Sequence, residues 1–523
     1  MQKWFFGILG VLIVASVYTW MTKPAHQSPY PLIAWRTDAN PQRYEQVQLF
    51  QDWLIHNHPE LPRKGENPPF GVSLSTSSNQ SKLIQAVSGM GGDLIDGIKA
   101  HVYGPMGLVL DITEPAEKMG FGFADTYPGV RSLISYNGRQ FVYPCNVAVF
   151  ALWINKDTFR KYDLPIPDEN WTPDEFARMG KEFVRRANMD GGRRTNFITV
   201  PDHQVIVVAR SRGVDLYNET LTRSQATNQH YVKTFQMTYD WIYQDGFLPT
   251  QAEIASNNVE TGAGFGGAAF SQFIQGTYAM INTERYSLIR FREIEDEQAK
   301  FEMTSVLYPQ YKYKNMLLSA RSTGIYAGSR NPEKALYFLR FLAGKEYNDY
   351  IIAHADGLPP NPAYAQNNPA FLRPEKYPNE GNVHANELRW AMTIALPAPF
   401  SPYYPPNAQD WILYAWDKMA AKRGTAKEVL AEAEMRMNRQ IEETVQANPK
   451  LKKMFDGAVV LQKEIDKLKQ DWKFDKDFLP VSGSKIPENW ILNPFYKKFY
   501  EDMNMLAETA PLPQNIPAEA ASK

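Results

Sequence analysis

Eight histidines and one cysteine, Cys145, are the supply of soft metal ligands and thiol nucleophiles in this 523-residue chain. No two histidines stand in a His-Glu-x-x-His or similar spacing, so no catalytic metal set can be read. His101 and His203 are therefore ordinary polar residues. A single cysteine excludes an intrachain disulfide or a thiolate cluster. With no histidine and carboxylate at a recognisable spacing, Cys145 is a small buried residue rather than a nucleophile. Among the carboxylates, Asp38, Asp93, Asp96 and Glu284 fall in turns that follow or precede strands. Nothing in their spacing pairs two of them as the acid and base of a glycosidase, ~5–9.5 Å apart. Gly89-Met90-Gly91-Gly92 lies between a helix and a strand and lacks a following Gly-Lys-Ser/Thr, which is not the order of a phosphate loop. Asp93 fixes that turn. What remains is the chemistry of binding. Ser75-Thr76-Ser77-Ser78-Asn79 is a run of short hydrogen-bonding side chains, and Arg321-Ser322-Thr323-Gly324 is a second polar turn. Trp35, Asp38 and Asn40 stand at the end of the first strand, where free helix N–H groups of an open α/β sheet face the crevice. The alternative is that Trp35 is core and Asn40 only a helix cap.

The elements that must position these residues follow from local signals. Residues 31–36 (Pro-Leu-Ile-Ala-Trp-Arg) form a buried strand, and Asn40-Pro41 opens a helix whose buried face is Tyr44, Val47, Phe50 and Leu54. Val72-Ser73-Leu74 alternates as a second strand, followed by a helix burying Leu83, Ile84 and Val87. Thr172 with Glu175 three residues on is a capping box. Residues 231–245 are a helix with Phe235, Tyr239 and Ile242 at helical spacing and Trp241 in the core, and residues 262–267 are glycine-rich. Residues 324–327 are a short apolar run. Asn331 then supplies an N-cap side chain, Pro332 the first helical position, and Leu336, Leu339 and Leu342 an apolar stripe that Gly344 ends. Near the C-terminus Leu451, Ala458, Ile465 and Trp472 fall seven apart, with Met454, Leu461 and Leu468 in the d-type positions. Three heptads are short for a coiled coil, so this helix packs back on the body, dimerisation being the other outcome. An aromatic helix follows within residues 486–506, and residues 511–523 read as a disordered tail.

Apolar residues make up 44% of the chain and aromatics 13%, ample for a core, and the length fits about two to four domains. Lys+Arg of 56 against Asp+Glu of 57 speaks against nucleic-acid binding, which needs a basic excess to displace counterions. Residues 4–21 are almost wholly apolar, with Lys3 before them and Lys23 after, near the ~20 residues that cross a bilayer. Lys3 holds the short end inside and sends the rest out. A cleaved signal peptide and a retained anchor both fit, and continuation of the run through Trp20 favours the anchor. No cysteine follows, which excludes a lipoprotein anchor.

Five motifs in order carry a resemblance to the extracytoplasmic solute-binding proteins of the maltose-binding type, which deliver sugars to ATP-driven importers. Ser329-Arg330-Asn331-Pro332-Glu333-Lys334-Ala335-Leu336-Tyr337-Phe338 resembles the family's helix start. Residues 89–96 are similar to its Gly-x-x-Pro-Asp turn, with Gly92 in place of the proline. Asn137-Gly138-Arg139 followed by Pro144 and Asn155-Lys156-Asp157 resembles its first crossing between lobes, and Trp171-Thr172-Pro173-Asp174-Glu175-Phe176 its Trp-Asp-Glu-Phe start. Gly276, Ala279 and Met280 match its Gly-x-x-Ala-Met, with Tyr286 where the family has a sugar-stacking Trp. The resemblance covers residues 31–446. It implies a type II periplasmic-binding-protein fold of two hinged α/β lobes, one from residues 31–146 with 304–352 and one from 147–303 with 353–446. Residues 1–30 precede them as signal or anchor and linker, and residues 447–510 add a helical extension. It further implies ligand contacts at Trp35, Asp38, Asn40, Ser77, Ser78, Asn79, Asn146, Arg285, Tyr286, Arg321, Ser322, Thr323 and Trp411, with the turn of Tyr403 and Tyr404 near the site. Tyr286 is the stacking platform and Arg285 a donor fork to vicinal hydroxyls. The implied function is capture of a sugar, oligosaccharide or related polyol for an ABC permease outside the cytoplasmic membrane, without cofactor, metal or catalysis. An exported glycosidase and a membrane-tethered sensor are the rival readings.

Overall fold

The computed structural model describes residues 32–58, 61, 70–189, 194–202, 204–258, 267–294, 300–405 and 408–513. The apolar run at residues 4–21, His203 and the tail from residue 514 lie outside the described residues. Among those described, no helix is long and apolar enough to cross a membrane.

Strand β1 (Leu32–Thr37) turns Ile33, Trp35 and Thr37 inward, and helix α1 (Gln42–Asn57) returns the chain along the sheet. β2 (Gly71–Thr76) and α2 (Asn79–Val87) repeat the unit, and β3 (Leu94–Asp96) leads to the short helix α3 (Ala100–Tyr103). The long strand β4 (Val142–Asn155) is nearly continuous in apolar residues because both its faces are covered. β5 (Met280–Thr283), β6 (Met303–Val306), β7 (Met316–Ile325) and β8 (Ala395–Pro397) complete one curled eight-stranded sheet. Its order is β2-β1-β3-β7-β4-β5, with β8 on β7 and β6 on β4. β1 pairs in parallel with β2 and β3, so their carboxyl ends coincide. β4 and β7 run antiparallel through both halves of the sheet. β7 meets β3 at Asp96↔Thr323 and β8 at Ala395↔Met316, and β4 leaves β7 for β5 and β6 beyond Phe150. A bulge between Pro144 and Asn146, at a residue with no N–H to give the ladder, interrupts β4 near its amino end.

In the first half, Trp35, Phe50, Phe338 and Phe341 pack between the sheet and α1, α4 (Pro332–Ala343) and α5 (Lys345–His354). Their rings sit 4.8 Å (Trp35–Phe338) and 5.1 Å (Phe50–Phe338) apart, the tilted and edge-on geometries aromatic quadrupoles favour. Thr172 and Thr425 both head capping boxes, as expected for the first. Asn331 precedes α4 but makes no side-chain cap; its amide reaches Asp93 instead. That carboxylate also accepts from Ala34 N–H and the Ser329 hydroxyl, which is how it fixes the turn.

Two helix faces differ from the expected stripes. α1 buries Arg43, Gln46, Phe50, Trp53 and Leu54 and leaves Tyr44 exposed. α2 buries Lys82 and Ala86 and leaves Ile84 59% and Val87 60% exposed. In both, a cation has acceptors waiting beneath the helix. Lys82 Nζ donates to Asp96 C=O at 2.8 Å and Asn79 Oδ1 at 3.1 Å, and Arg43 meets two carboxylates. A buried charge left unpaired costs more than an exposed aliphatic side chain, so the ion rather than the stripe sets the rotation.

The C-terminal helices fold back. After α6 (Trp411–Ala420) and α7 (Ala426–Ala447), α8 (Pro449–Leu468) buries Leu451, Ala458, Leu461 and Ile465 against its own chain. Phe455 stacks edge-on over Tyr403 at 5.1 Å, and the aromatic face of α9 (Pro494–Asp502) closes over Tyr313. Buried Glu219 is the anchor. It accepts from Lys469 Nζ at 2.5 Å, Tyr500 hydroxyl at 2.6 Å and Gln462 amide at 2.8 Å. Burial pushes this carboxyl up, but those three donors outweigh it and hold it down to about 2.

Candidate functional site

Parallel pairing of β1, β2 and β3 brings Thr37, Thr76 and Asp96 to one edge, and the turns after them place Asp38, Ser77 and Gly97 beside each other. β7 adds Arg321, Ser322 and Thr323 from the opposite direction, and the β4 bulge sets Asn146 across from Arg321. Two guanidinium groups join three carboxylates there. Arg43 grips Asp38 bidentately at 2.9 and 3.1 Å and reaches Asp356 at 2.6 Å. Arg321 Nη1 donates to Asp96 Oδ2 at 2.7 Å, an oxygen that also accepts from Thr37 Oγ1 at 2.6 Å, while Arg321 Nη2 lies 3.7 Å from Asp356 Oδ2. Asn146 Nδ2 donates to the Asp356 carbonyl at 2.7 Å. Burial pushes the Asp38 carboxyl up, yet Arg321 and Arg43 prevail and hold it at about 2. The floor is thus an interlocked set of planar charged groups, two guanidinium ions among three carboxylates.

Some polar atoms of this floor have no protein partner. The Asp38 side chain is 39% exposed. Arg321, at 13%, keeps Nε unpaired, and Ser77 Oγ is enclosed without a partner. From the second half, Glu284 and Tyr286 follow β5. The Glu284 carboxyl is pushed well above its usual range by burial, with Glu387 and Asp356 close enough to add to the shift. Half-buried Tyr286 has its hydroxyl raised by the same burial and by Glu284. The segment that carries Tyr286 meets the chain beside Asp356, where Arg285 Nη1 donates to the Gly357 carbonyl.

Other expected contacts lie elsewhere. Trp35 is wholly buried against Phe338, so it is core. Asn40 Oδ1 accepts from Gln42 N–H and serves the start of α1, while Ser78 caps α2 and Asn79 holds Lys82. Ser322 and Thr323 are buried behind the floor, Thr323 Oγ1 lying 3.0 Å from Cys145 Sγ. Burial pushes that thiol up to about 12, which removes it as a nucleophile. Arg285 is not a fork open to ligand. All its reach goes to the carbonyls of Ile351 (3.1 Å), Ile352 (2.7 Å) and Gly357 (2.5 Å) and to His384 Nδ1 (3.0 Å). It caps the end of α5. Trp411 packs on α7, its Nε1 donating to Gln440 Oε1 at 2.9 Å with Arg436 over its ring. Arg43, Asp356 and Tyr347, whose hydroxyl accepts from Arg321 Nη2 at 3.4 Å, were not foreseen. The readable signal was the cation in the first turn of α1, and Asp356 lies 313 residues from its partner.

The sequence profile of the family described as bacterial extracellular solute-binding protein matches residues 72–349, more than half of the chain. The chain belongs to that family. No curated protein matches it in sequence. Solved structures share the fold. An ABC substrate-binding protein of Listeria monocytogenes in complex with cycloalternan is 18% identical, with 79% of this chain and 99% of that one covered at a TM-score of 0.63. An ABC transporter solute-binding protein of Thermotoga lettingae bound with α-D-tagatose is 14% identical, with 79% and 100% covered at 0.61. Maltose-bound MalE3 of T. maritima is 16% identical, with 78% and 98% covered at 0.60. The solute-binding protein thus has the two-lobed periplasmic-binding fold, and about a fifth of it has no counterpart in these structures.

Proposed function

We propose that this solute-binding protein captures a carbohydrate or related polyol where its lobes meet and presents it to the permease of an ABC importer outside the cytoplasmic membrane. The observation that carries the reading is the floor itself. The exposed Asp38 carboxylate, the unpaired Arg321 Nε and the enclosed Ser77 Oγ converge beside Asn146, with the ring of Tyr286 on the adjoining segment. Vicinal hydroxyls need such planar donors and acceptors held in advance, and an aromatic face suits the C–H side of a sugar ring. The molecules bound to the three neighbouring structures, cycloalternan, tagatose and maltose, are all carbohydrates, which supports the class. We assign contact to Asp38, Ser77, Asn146, Arg321 and Tyr286, with Ser78, Asn79, Ser322 and Thr323 shaping the floor behind them. The lobe and extension boundaries follow the ranges given from sequence.

The ligand leaves chemically unchanged. Asp38, Asp96 and Asp356 are each tied to a guanidinium, which is the setting of a binding floor rather than of an acid–base pair. The apolar run at residues 4–21 directs export and tethers the protein to the membrane. The test is a thermal-shift screen of the protein against mono- and oligosaccharides and polyols. A ligand at a hundredfold its Kd adds about 2.7 kcal/mol to stability. At least one sugar should raise the melting point, and Tyr286→Ala should remove the rise. A screen in which no sugar or polyol shifts the transition overturns the reading.

A further inference from the structure

The N-terminal part of α8 touches both halves of the molecule. In the first half, Ser135–Tyr136 and Arg139–Gln140 form a hairpin. Its two-residue turn, Asn137 and Gly138 at φ 49° and 70°, is of the kind that right-twisted strands favour. The base of the hairpin is fixed: Ile112 N–H donates to the Gln140 carbonyl at 2.8 Å, and Gln140 N–H to Thr113 Oγ1 at 2.9 Å. The tip meets α8. Tyr136 hydroxyl donates to Met454 Sδ at 3.4 Å, and Asn137 Nδ2 lies 3.9 Å from the same sulfur. About two turns along the helix, a distance of about 12 Å, Gln462 holds α8 to the second half. It accepts from the N–H and hydroxyl of Thr220 and donates to Glu219.

A second tie runs beside the first. Phe455, next to Met454, packs edge-on against Tyr403 of the second half. On the same segment the Phe400 ring lies flat on His101 of α3, centroids 3.9 Å apart and planes 14° from parallel. Between the ties the halves stand apart. A cavity of about 510 Å³ separates α2 and α3 from residues 401–405 and Leu451, so at this rim the ties bridge a gap. A ring stack and a thioether acceptor are short-ranged contacts, lost when the halves turn by a few ångström. The helix that carries them is continuous and is pinned at its far end by buried Glu219, so it does not follow the first half when the lobes turn. We propose that α8, with the segment of residues 400–404, is a strut that sets the angle between the two lobes, and that a change of that angle has to break its contacts with Tyr136 and His101. The strut needs the two-lobed fold and no particular ligand.

Pulsed electron double resonance on the full chain tests it. Nitroxides at Glu117→Cys in the first half and Arg178→Cys in the second, both exposed, report the distance between the lobes in a Cys145→Ala background. This parent protein should give a single narrow distribution. Met454→Ala and Phe400→Ala truncate half-buried side chains without hollowing the core. Each should broaden the distribution, and the two together should widen it at least about twofold. Met454→Leu, which keeps the apolar volume and loses the sulfur acceptor, should broaden it less than Met454→Ala. Met435→Ala, at an exposed position of α7, should leave it unchanged. A width in the double variant equal to that of the parent overturns the proposal, as does a parent distribution already as broad, or equal broadening by Met435→Ala. Where the double variant does not fold, Met454→Ala decides on the same comparison.

Discussion

Arg285 and Arg321 carry the same guanidinium into the junction of the lobes and spend it differently. Arg285 satisfies three backbone carbonyls and His384, whose Nε2 in turn meets Glu380 at 2.7 Å. Each buried acceptor left without a donor costs about 1–3 kcal/mol. Arg285→Ala should therefore lower the stability of the ligand-free protein by roughly 3 kcal/mol or more, seen in denaturant unfolding. Tyr286→Ala, one residue on, should leave that transition within about 1 kcal/mol and weaken ligand binding instead. Equal unfolding midpoints for the two variants would contradict the assignment of Arg285 to the end of α5. Arg321 Nε makes no hydrogen bond and lies 3.9 Å from Asp38 Oδ2, which is the difference between a cap and a contact. Cys145 gives a further check at this scale. With its thiol buried and raised to about 12, it should resist iodoacetamide at pH 8 in the native protein and react once denaturant is added. Rapid native labelling would show that the β4 bulge opens.

The returning helices depend on Glu219, which three donors hold ionised in a buried place. Glu219→Gln should leave Lys469 facing a neutral group and cost about 3–5 kcal/mol, measured as loss of the thermal transition of the C-terminal helices. The pH dependence has a definite sign. A carboxyl lowered in the folded state binds fewer protons than in the unfolded one, so its stabilisation is complete above the ordinary glutamate value of 4.5 and fades as pH falls from there toward 2. The wild-type melting point should drop across that window, and the Gln variant should drop less. What the sequence disclosed has the same local character. The uninterrupted apolar run of β4, the Thr172 capping box and the buried heptad positions of α8 can each be read from a dozen neighbouring residues. The faces of α1 and α2 could not. Their rotation is decided by carboxyl and carbonyl groups distant in sequence, and an apolar stripe counted at helical spacing has no knowledge of them. The same distance hid the floor. Asp38 was legible as a turn residue and Asn146 as part of a β connection, whereas Arg321, expected in a turn, lies inside β7, and the ion pairs that fix the floor involve Asp96 and Asp356, brought in by the sheet.

At the scale of the molecule, three segments pass from one half to the other. β4 and β7 are paired with each other from Val142↔Gly324 to Phe150↔Leu317, and the third, between α5 and the second lobe, has its own means of attachment. Asp356 is held by Arg43 of the first half, and the next carbonyl, Gly357, by Arg285 of the second. Val147 N–H and C=O pair with Leu358, clasping the segment to β4 beside the bulge. Gly357 is required at this joint on two counts. Its φ of 84° lies in the left-handed region, and a Cβ would meet Val147 O at 3.0 Å and Asn146 Cβ at 3.3 Å. Both neighbours belong to the backbone and side chain that line the floor, so the strain cannot be relieved without moving Asn146. Gly357→Ala should cost about 1–3 kcal/mol and displace the floor relative to the second lobe. Small-angle scattering makes the consequence visible. The wild-type protein should contract when saturated with the sugar found by thermal shift, as lobes close by a hinge. The Gly357→Ala protein should contract less and bind more weakly, because its joint no longer sets Asn146 and Arg321 in register with Tyr286. Full contraction and unaltered affinity in that variant would place the hinge elsewhere, in the β4 bulge alone.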